Sequence, residues 1–249
     1  MLKFQNTIKI VNTFVMIKKI FRLLKNPLPY LENLQSRFVN KNKTKLLYEA
    51  KNFFIEKGYL KYFSSGSKTE IKPDYLDLIN LFKIIISRKP KVVLEFGVGF
   101  STIAILLALN ENSKIGVNGK LYVVDPEKTW IENTKKKIPI FLKNYVSFNY
   151  SPARVNILDG QIVSLFDQLP DICPEIILLD GPNPESVKGN YKGLKFSSGR
   201  PIIAADPLLY ETSSPNKFFI IIDGRHRNAE FLKKNLKDRY HIKKSSVLK

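Results

Sequence analysis

One acidic residue and two glycines lie close together in the stretch VVLEFGVGFST, residues 92–102. An apolar run ends at Glu95, and Gly97 and Gly99 follow before a second apolar run begins. Glycines permit a tight turn and a close approach of the backbone to a ligand. A helix that begins there directs its first N–H groups at the same ligand, and Ser101 is a suitable N-cap for it. We therefore expect Glu95, Gly97, Gly99 and Ser101 to line a ligand site.

A second acid ends the next apolar run, LYVVD, where Asp125 follows Gly99 by 26 residues. At a strand tip, a carboxylate can accept hydrogen bonds from a ribose diol. A dinucleotide-binding turn would carry a third glycine where Thr102 stands, and Glu95 would repel a pyrophosphate but attract an amine. The pattern fits a ribosyl cofactor with an amino-acid tail, for which S-adenosylmethionine (SAM) is the natural candidate. The alternative role for Asp125 is an acid that stabilises the N-terminus of the following helix.

Two later apolar runs also end in acids, IILLDGP at Asp180 and IIIDGRHRN at Asp223. Because parallel strands end at one edge of a sheet, we expect both carboxylates at the ligand edge. In one interpretation, Asp180 and Asp223 share a Mg²⁺ ion near Asn228. In the preferred interpretation there is no metal, and Asp180 or His226 is the general base for a hydroxyl acceptor, with Asp223 a third candidate catalytic residue. An exposed loop histidine without a role is the alternative for His226.

Basic residues surround these acids. Arg225 and Arg227 either clamp an anionic acceptor or hold the loop by pairing with an acid such as Asp206. Lys188 and Lys192 lie in the long segment 183–200, which is rich in glycine, serine and lysine. We interpret this segment as a lid over the acceptor or as a mobile surface loop.

Alternating strands and helices must position these residues. Short apolar runs predict strands at Val92–Phe96, Leu121–Val124, Val146–Tyr150, Glu175–Leu179 and Phe218–Ile222. Helical spacing predicts helices at 44–63, 74–88, Ser101–Asn110, Lys128–Leu142, Gln161–Gln168, Ile202–Tyr210 and Asn228–Lys237. This alternation predicts an α/β fold with a doubly wound, mostly parallel, Rossmann-like sheet.

The N-terminal segment, here called the head, differs from the rest of the chain in its charge pattern. The first acid is Glu32, and apolar residues recur at helical spacing among lysines. We divide the chain into a basic amphipathic segment (1–31), a helical lead-in (32–90) and a cofactor-binding domain (91–249). The head either docks on the domain or, through residues 7–25, lies on an anionic membrane.

The composition restricts the partners. The net charge of +19, from 41 Lys+Arg against 22 Asp+Glu, indicates either anionic partners or a lysine-rich proteome. No RNA-recognition signature is visible, so we do not expect a nucleic acid partner. One cysteine permits no internal disulfide, and with two histidines it excludes a Cys/His zinc site. We expect a cytoplasmic protein, with peripheral contact at the inner membrane face as an alternative. The sequence does not define the oligomeric state.

Several motifs together resemble a known family. EFGVGFST resembles motif I of class I SAM-dependent methyltransferases, and VVDP resembles the acidic end of their second strand. YSPARVNILDG, LPDICPEIILLDGP, SVKGNYKG and IIIDGRHRNAEFLKKNL resemble a bacterial subgroup often met near surface-polysaccharide genes. The resemblance covers roughly residues 80–240. It implies the class I methyltransferase fold, with Glu95, Gly97 and Gly99 at the methionine end of SAM and Asp125 at its ribose. Family members usually finish with two further strands, of which at most one fits here.

These observations favour a SAM-dependent O-methyltransferase that acts on a glycan-related or other small hydroxylated acceptor. An NAD-dependent oxidoreductase is the first alternative, although Glu95 and the missing third glycine argue against it. A basic module that binds membranes or RNA without catalysis is the second alternative.

Overall fold

The computed structural model describes residues 44–64, 72–215, 218–222, 224–236 and 240. Ala50–Lys243 form one compact unit, and the residues before Ala50 belong to another. Only residues 44–49 of this other unit are described, and they are helical. The basic segment predicted at 1–31, with its membrane contact through residues 7–25, lies outside the described residues, as does Asp223.

The described part of the chain contains strands and helices, which alternate from the first strand onward except between the third and seventh strands, where no α-helix intervenes. The strands are β1 (Val92–Phe96), β2 (Lys120–Asp125), β3 (Val146–Tyr150), β4 (Ala153–Leu158), β5 (Gln161–Phe166), β6 (Ile176–Leu179), β7 (Ile203–Ala204) and β8 (Phe219–Ile222). The helices are α1 (44–56), α2 (Tyr75–Arg88), α3 (Phe100–Ser113), α4 (Lys128–Lys137), α5 (Asp206–Ser213) and α6 (His226–Asn235). Short 3₁₀ turns lie at Leu60–Phe63, Ile140–Tyr145 and Pro184–Ser186. None of the described helices is long and apolar enough to cross a membrane.

The central sheet has five strands in the order β3-β2-β1-β6-β8, and every neighbouring pair is parallel. The chain moves outward from β1 through β2 to β3, then returns to place β6 on the other side of β1. The strand order therefore reverses between β1 and β6, which is where ligands bind in doubly wound sheets. The predicted α/β, Rossmann-like architecture is confirmed.

Strand β1 has a different environment on each face. Side chains alternate along a strand, so Leu94 and Phe96 share one face while Val93 and Glu95 share the other. The Phe96 ring stacks on the Phe166 ring, with the ring centroids 5.6 Å apart, within a hydrophobic core that also includes Tyr210. Glu95 is as deeply buried as these apolar residues. A charged side chain at such a position requires an explanation from its surroundings.

The small second sheet, β4-β5-β7, corrects two predicted helices. The prediction of a helix at Gln161–Gln168 is wrong, because Gln161–Phe166 pairs antiparallel with β4. The helix predicted at Ile202–Tyr210 is shifted: Ile203–Ala204 pairs with β5, and the helix begins only at Asp206, where Pro207 follows. This sheet packs Val163 and Phe166 into the apolar core beside Phe96.

The helix predicted at Lys128–Leu142 ends early, at Lys137. Ile138 is extended (φ −76°, ψ 120°), since a residue before proline avoids the helical region and Pro139 follows. The chain continues as the 3₁₀ turn Ile140–Tyr145 before β3 begins.

Candidate functional site

The turn after β1 lies against the turn after β6. Gly97 has a φ of +98°, which side chains rarely adopt. Its N–H donates to the Val124 carbonyl of β2 at 3.0 Å. A Cβ on Gly97 would lie 2.8 Å from the backbone nitrogen of Gly181, so glycine is required on steric grounds too. The two turns thereby form the floor of the crevice at the switch point of the sheet.

Glu95 binds the first turn of α3. The Ser101 hydroxyl donates to Glu95 Oε1 at 2.5 Å, and the Thr102 hydroxyl donates to Oε2 at 2.7 Å. Thr102 Oγ1 also accepts from the Gly99 N–H at 3.1 Å. The helix begins at Phe100 with Gly99 as its N-cap, so the expectation that Ser101 caps the helix is wrong. The two hydroxyls instead fix the carboxylate beside the helix N-terminus.

The pKa of Glu95 is raised to about 8, chiefly by burial and to a smaller extent by the nearby charges of Asp180 and Asp125, while the hydrogen bonds from the Ser101 and Thr102 hydroxyls oppose the shift. Three acids from three strand ends, Glu95, Asp125 and Asp180, thus interact electrostatically. Such a cluster attracts a cation and repels an anion.

Asp125 joins the ends of β1 and β2. It is 6% exposed, and its Oδ1 accepts from the Glu127 N–H at 2.7 Å. Burial raises its pKa to about 7, against hydrogen bonds from the backbone N–H groups of Glu127 and Val98. Because Val98 lies between the two glycines, Asp125 connects the strand tip to the glycine turn.

Glu127 is a site residue that the sequence interpretation missed. Its Oε1 accepts from the Ser186 hydroxyl at 2.6 Å, which joins the loop after β2 to the loop after β6. Its charge contributes to the raised pKa of Asp125. An acid two residues beyond a strand tip, as in VVDPE, was the available signal.

Arg225 holds the loop after β6 in place. Its Nε donates to the Asp180 carbonyl at 2.8 Å, and its terminal nitrogen donates to the Pro182 carbonyl at 2.6 Å. The Asp180 side chain remains exposed, and so does His226, the first residue of α6. Arg225 thus ties the start of α6 to the loop that carries Asp180. Asp223 lies outside the described residues, so its relation to the other two candidates stays a prediction.

Two other polar residues near α6 serve the backbone. Arg227 donates to the Pro201 carbonyl at 3.0 Å, and the buried Asn228 amide donates to the Ala204 carbonyl at 2.8 Å. Within the described residues, no group of three or more His, Cys, Asp or Glu side chains could hold a metal ion.

The segment 183–200 is fastened at several points. The backbone of Lys188 pairs with β4. The Lys188 N–H donates to the Ala153 carbonyl at 2.8 Å, and the Lys188 carbonyl accepts from the Val155 N–H at 2.9 Å. Glu185 accepts from the Ser198 hydroxyl at 2.7 Å, which closes the segment on itself. The side chains of Lys188 and Lys192 are exposed.

No protein-family model and no curated protein matches this sequence. Among solved structures, it is similar to the O-methyltransferase TomG from Streptomyces achromogenes, involved in tomaymycin synthesis and in complex with SAM, with 14% identity, a TM-score of 0.39 and 80% of this chain covered. It is also similar to the SAH-bound methyltransferase PaMTH1 from Podospora anserina (15% identity, TM-score 0.31, 60% covered) and to cmcI-N160 with SAH (10%, 0.34, 66%). The matched parts span 71%, 57% and 66% of those three chains. Similarity this low carries no inference about function, which must come from the residues of this chain.

Proposed function

We propose that this protein is a SAM-dependent methyltransferase. The observation that carries the proposal is the cluster of Glu95, Asp125 and Asp180 around a glycine turn at the switch point of the sheet. The ionised forms of these acids make the crevice negative in a chain whose net charge is +19. A negative site in a basic protein is selective for a cationic ligand.

The residues of the crevice fit SAM better than a dinucleotide. A pyrophosphate at this turn would face the buried carboxylate of Glu95. The negative charge of the pyrophosphate would raise the free energy of the ionised form of every neighbouring acid. An ammonium group has the opposite effect, because it favours the ionised form of Glu95. The α3 N-terminus offers N–H groups to a carboxylate beside that ammonium. An amino-acid tail satisfies both features at once.

The proposed contacts follow from the strand ends. Glu95, Gly97, Gly99 and Ser101 hold the amino-acid end of the cofactor, with the Ser101 hydroxyl fixing the Glu95 carboxylate. Asp125 accepts hydrogen bonds from the ribose hydroxyls. Glu127, two residues further along the chain, assists Asp125 in binding the ribose.

The acceptor is, on this proposal, a glycan-related or other small molecule with a hydroxyl group. SAM supplies an electrophilic methyl group, so the protein has to orient the acceptor oxygen and remove its proton. Asp180 and His226 are both exposed, and Arg225 joins the loop that carries Asp180 to the start of α6, which supports either as the general base. Asp223 is the third candidate.

Calorimetric titration of the purified chain with S-adenosylhomocysteine (SAH), beside NADH, tests the cofactor. We expect SAH to bind with micromolar affinity and NADH not to bind. Binding of NADH alone would replace the proposal with the oxidoreductase alternative. Binding of neither, by protein with a cooperative unfolding transition, would refute a cofactor role for the crevice.

A further inference from the structure

Two neighbouring 3₁₀ turns together present apolar side chains at the surface. Ile140 is 83% exposed and Phe141 is 47% exposed, although both are large apolar residues. The rings of Phe141 and Tyr62 meet edge-on, with their centroids 6.3 Å apart. This contact brings the turn Leu60–Phe63 beside the turn Ile140–Tyr145. We call Tyr62, Ile140 and Phe141 the apolar tip. Isolated exposed apolar residues are ordinary, but a contiguous group of them indicates an interaction surface.

Lysines surround this apolar tip. Lys136 and Lys143 flank Ile140 in sequence and are exposed, as is Lys61 beside Tyr62. The Lys61 ammonium lies 5.1 Å from the Tyr62 ring centroid. Between residues 128 and 145 the single acid is Glu132, which is paired with Lys135 at 2.8 Å. The surroundings of the apolar tip therefore carry excess positive charge.

We propose that the apolar tip is a docking surface for anionic lipid bilayers. Exposed aliphatic and aromatic side chains enter the boundary between headgroups and acyl chains, while nearby lysines bind anionic headgroups. The long lysine stems allow the ammonium groups to remain at headgroup level while Ile140 and Phe141 go deeper. Both parts of such a surface are present at one place on this chain.

The charge pattern argues against a second copy of this chain as the occupant. A symmetric dimer through the apolar tip would bring the lysines of one copy against those of the other, and like charges there oppose association. The surface is also independent of the crevice, since none of its residues belongs to the proposed cofactor site.

Cosedimentation of the full chain with vesicles tests this inference. One vesicle preparation contains phosphatidylcholine with phosphatidylglycerol, and the other contains phosphatidylcholine alone. We expect binding to the anionic vesicles only, with a marked loss at about 0.5 M salt. Failure to bind anionic vesicles would overturn the proposal, and so would equal binding to both preparations.

Two double variants locate the contact. Ile140→Ser with Phe141→Ser removes apolar surface, and Lys136→Glu with Lys143→Glu reverses charge. We expect each double variant to reduce the partition coefficient by about tenfold or more. In the charge variant the reason is that one lysine near an anionic surface increases the partition coefficient about fivefold. The matched control is Leu194→Ser with Lys195→Glu, an exposed apolar–basic pair elsewhere, which should change binding less than twofold.

The variants also separate this surface from other binding modes. All changed residues are exposed, so unfolding midpoints should remain close to that of the unchanged chain, and midpoints are measured first. Anionic binding that survives both tip variants would overturn the proposal and assign the contact to another segment, such as residues 7–25. Vesicle binding lost in the charge variant but intact in the apolar variant would also overturn it, because the lysines would then be a site for soluble acidic partners.

Discussion

Gly97 and Gly181 touch backbone to backbone at the point where the strand order of the sheet reverses. A Cβ on Gly181 would lie 2.6 Å from the Cα of Gly97, and a Cβ on Gly97 would lie 2.8 Å from the Gly181 nitrogen. The Phe96 carbonyl accepts the N–H groups of both Asp180 and Gly181. The contact sets how closely Glu95 and Asp180 approach each other, and with that the electrostatic character of the crevice.

Replacement of Gly181 by alanine should therefore destabilise the fold. The added methyl group meets backbone atoms that cannot rotate away, so we expect a loss on the order of 1–3 kcal/mol in the free energy of unfolding. Urea denaturation measures it. Gly199→Ala is the matched control, because the nearest atom to its Cβ would be a Ser197 hydroxyl at 3.9 Å. Equal urea midpoints for Gly181→Ala and Gly199→Ala would show that the turns after β1 and β6 can separate without a loss in the free energy of unfolding.

Glu95→Gln should weaken SAH binding by about ten- to a hundredfold, the range for hydrogen bonds to charged groups. Binding of 5′-methylthioadenosine, which lacks the amino-acid tail, should be nearly unchanged. Calorimetry with both ligands measures the contrast. Glu175→Gln is a suitable control, since this exposed glutamate lies at the opposite end of the sheet, where it binds the Lys91 N–H. A similar loss for both ligands would remove Glu95 from the tail of the cofactor.

Asp125→Ala should have the complementary effect, with SAH and 5′-methylthioadenosine both weakened severely because both carry the ribose. Asp125→Asn retains an oxygen that can accept from the Glu127 N–H, so it separates loss of the charge from loss of the turn geometry. Unchanged affinity for both ligands in the alanine variant would refute the ribose assignment.

The affinity of the wild-type chain for SAH should increase with pH. Glu95 and Asp125 have pKa values raised to about 8 and about 7, so both carry protons over part of the neutral range. An ammonium-bearing ligand prefers the ionised carboxylates, and the dissociation constant should fall between about pH 6 and 8.5. Glu95→Gln should flatten the upper part of this profile. A dissociation constant independent of pH in the wild type would contradict the electrostatic role of the acids.

Asp206 makes the stability of the protein depend on pH. It is fully buried, its Oδ1 accepts from the Phe166 N–H at 2.9 Å, and Oδ2 has no hydrogen-bond partner. Burial raises its pKa to about 7 from the ordinary 3.8. The folded state therefore binds the proton more strongly than the unfolded state. This stabilising contribution is complete below about pH 4 and is lost as the pH rises through about 7.

Asp206→Asn should remove that dependence. We expect an unfolding midpoint close to wild type at about pH 5 and about 3–6 °C higher at about pH 8.5. Differential scanning calorimetry across this range measures it, with Glu230→Gln on the exposed face of α6 as the control. A parallel shift of wild type and Asp206→Asn across the whole range would show that Asp206 does not titrate on unfolding.

Most of the central sheet could be predicted from the sequence because β1, β2, β6 and β8 are short, largely apolar runs with an acid or a glycine at their ends. Because parallel strands carry their final residues to one edge, the sequence also predicts that Asp180 and Asp223 lie at the ligand edge. The small sheet could not be predicted from spacing alone. Ile162, Leu165 and Phe166 recur at helical intervals, although they lie in β5.

The signal for the β4–β5 hairpin was its turn. Asp159 and Gly160 have φ values of +48° and +73°, and Leu158 pairs with Gln161 across them. An Asp-Gly pair between two apolar runs is a strong hairpin signal. The roles of Glu127 and Arg225 depend on contacts between loops, with Ser186 and with two backbone carbonyls, which no local pattern encodes.

Photochemical cross-linking with radiolabelled SAM, followed by peptide mapping, tests most directly whether the acid-lined crevice holds the cofactor. We predict label in peptides from the glycine turn after Glu95, the loop that begins at Asp125 or the loop that begins at Asp180, with excess SAH abolishing it and NADH leaving it unchanged. Label confined to the opposite end of the sheet, around Arg88 and Glu175, or label that SAH does not displace, would contradict the proposal.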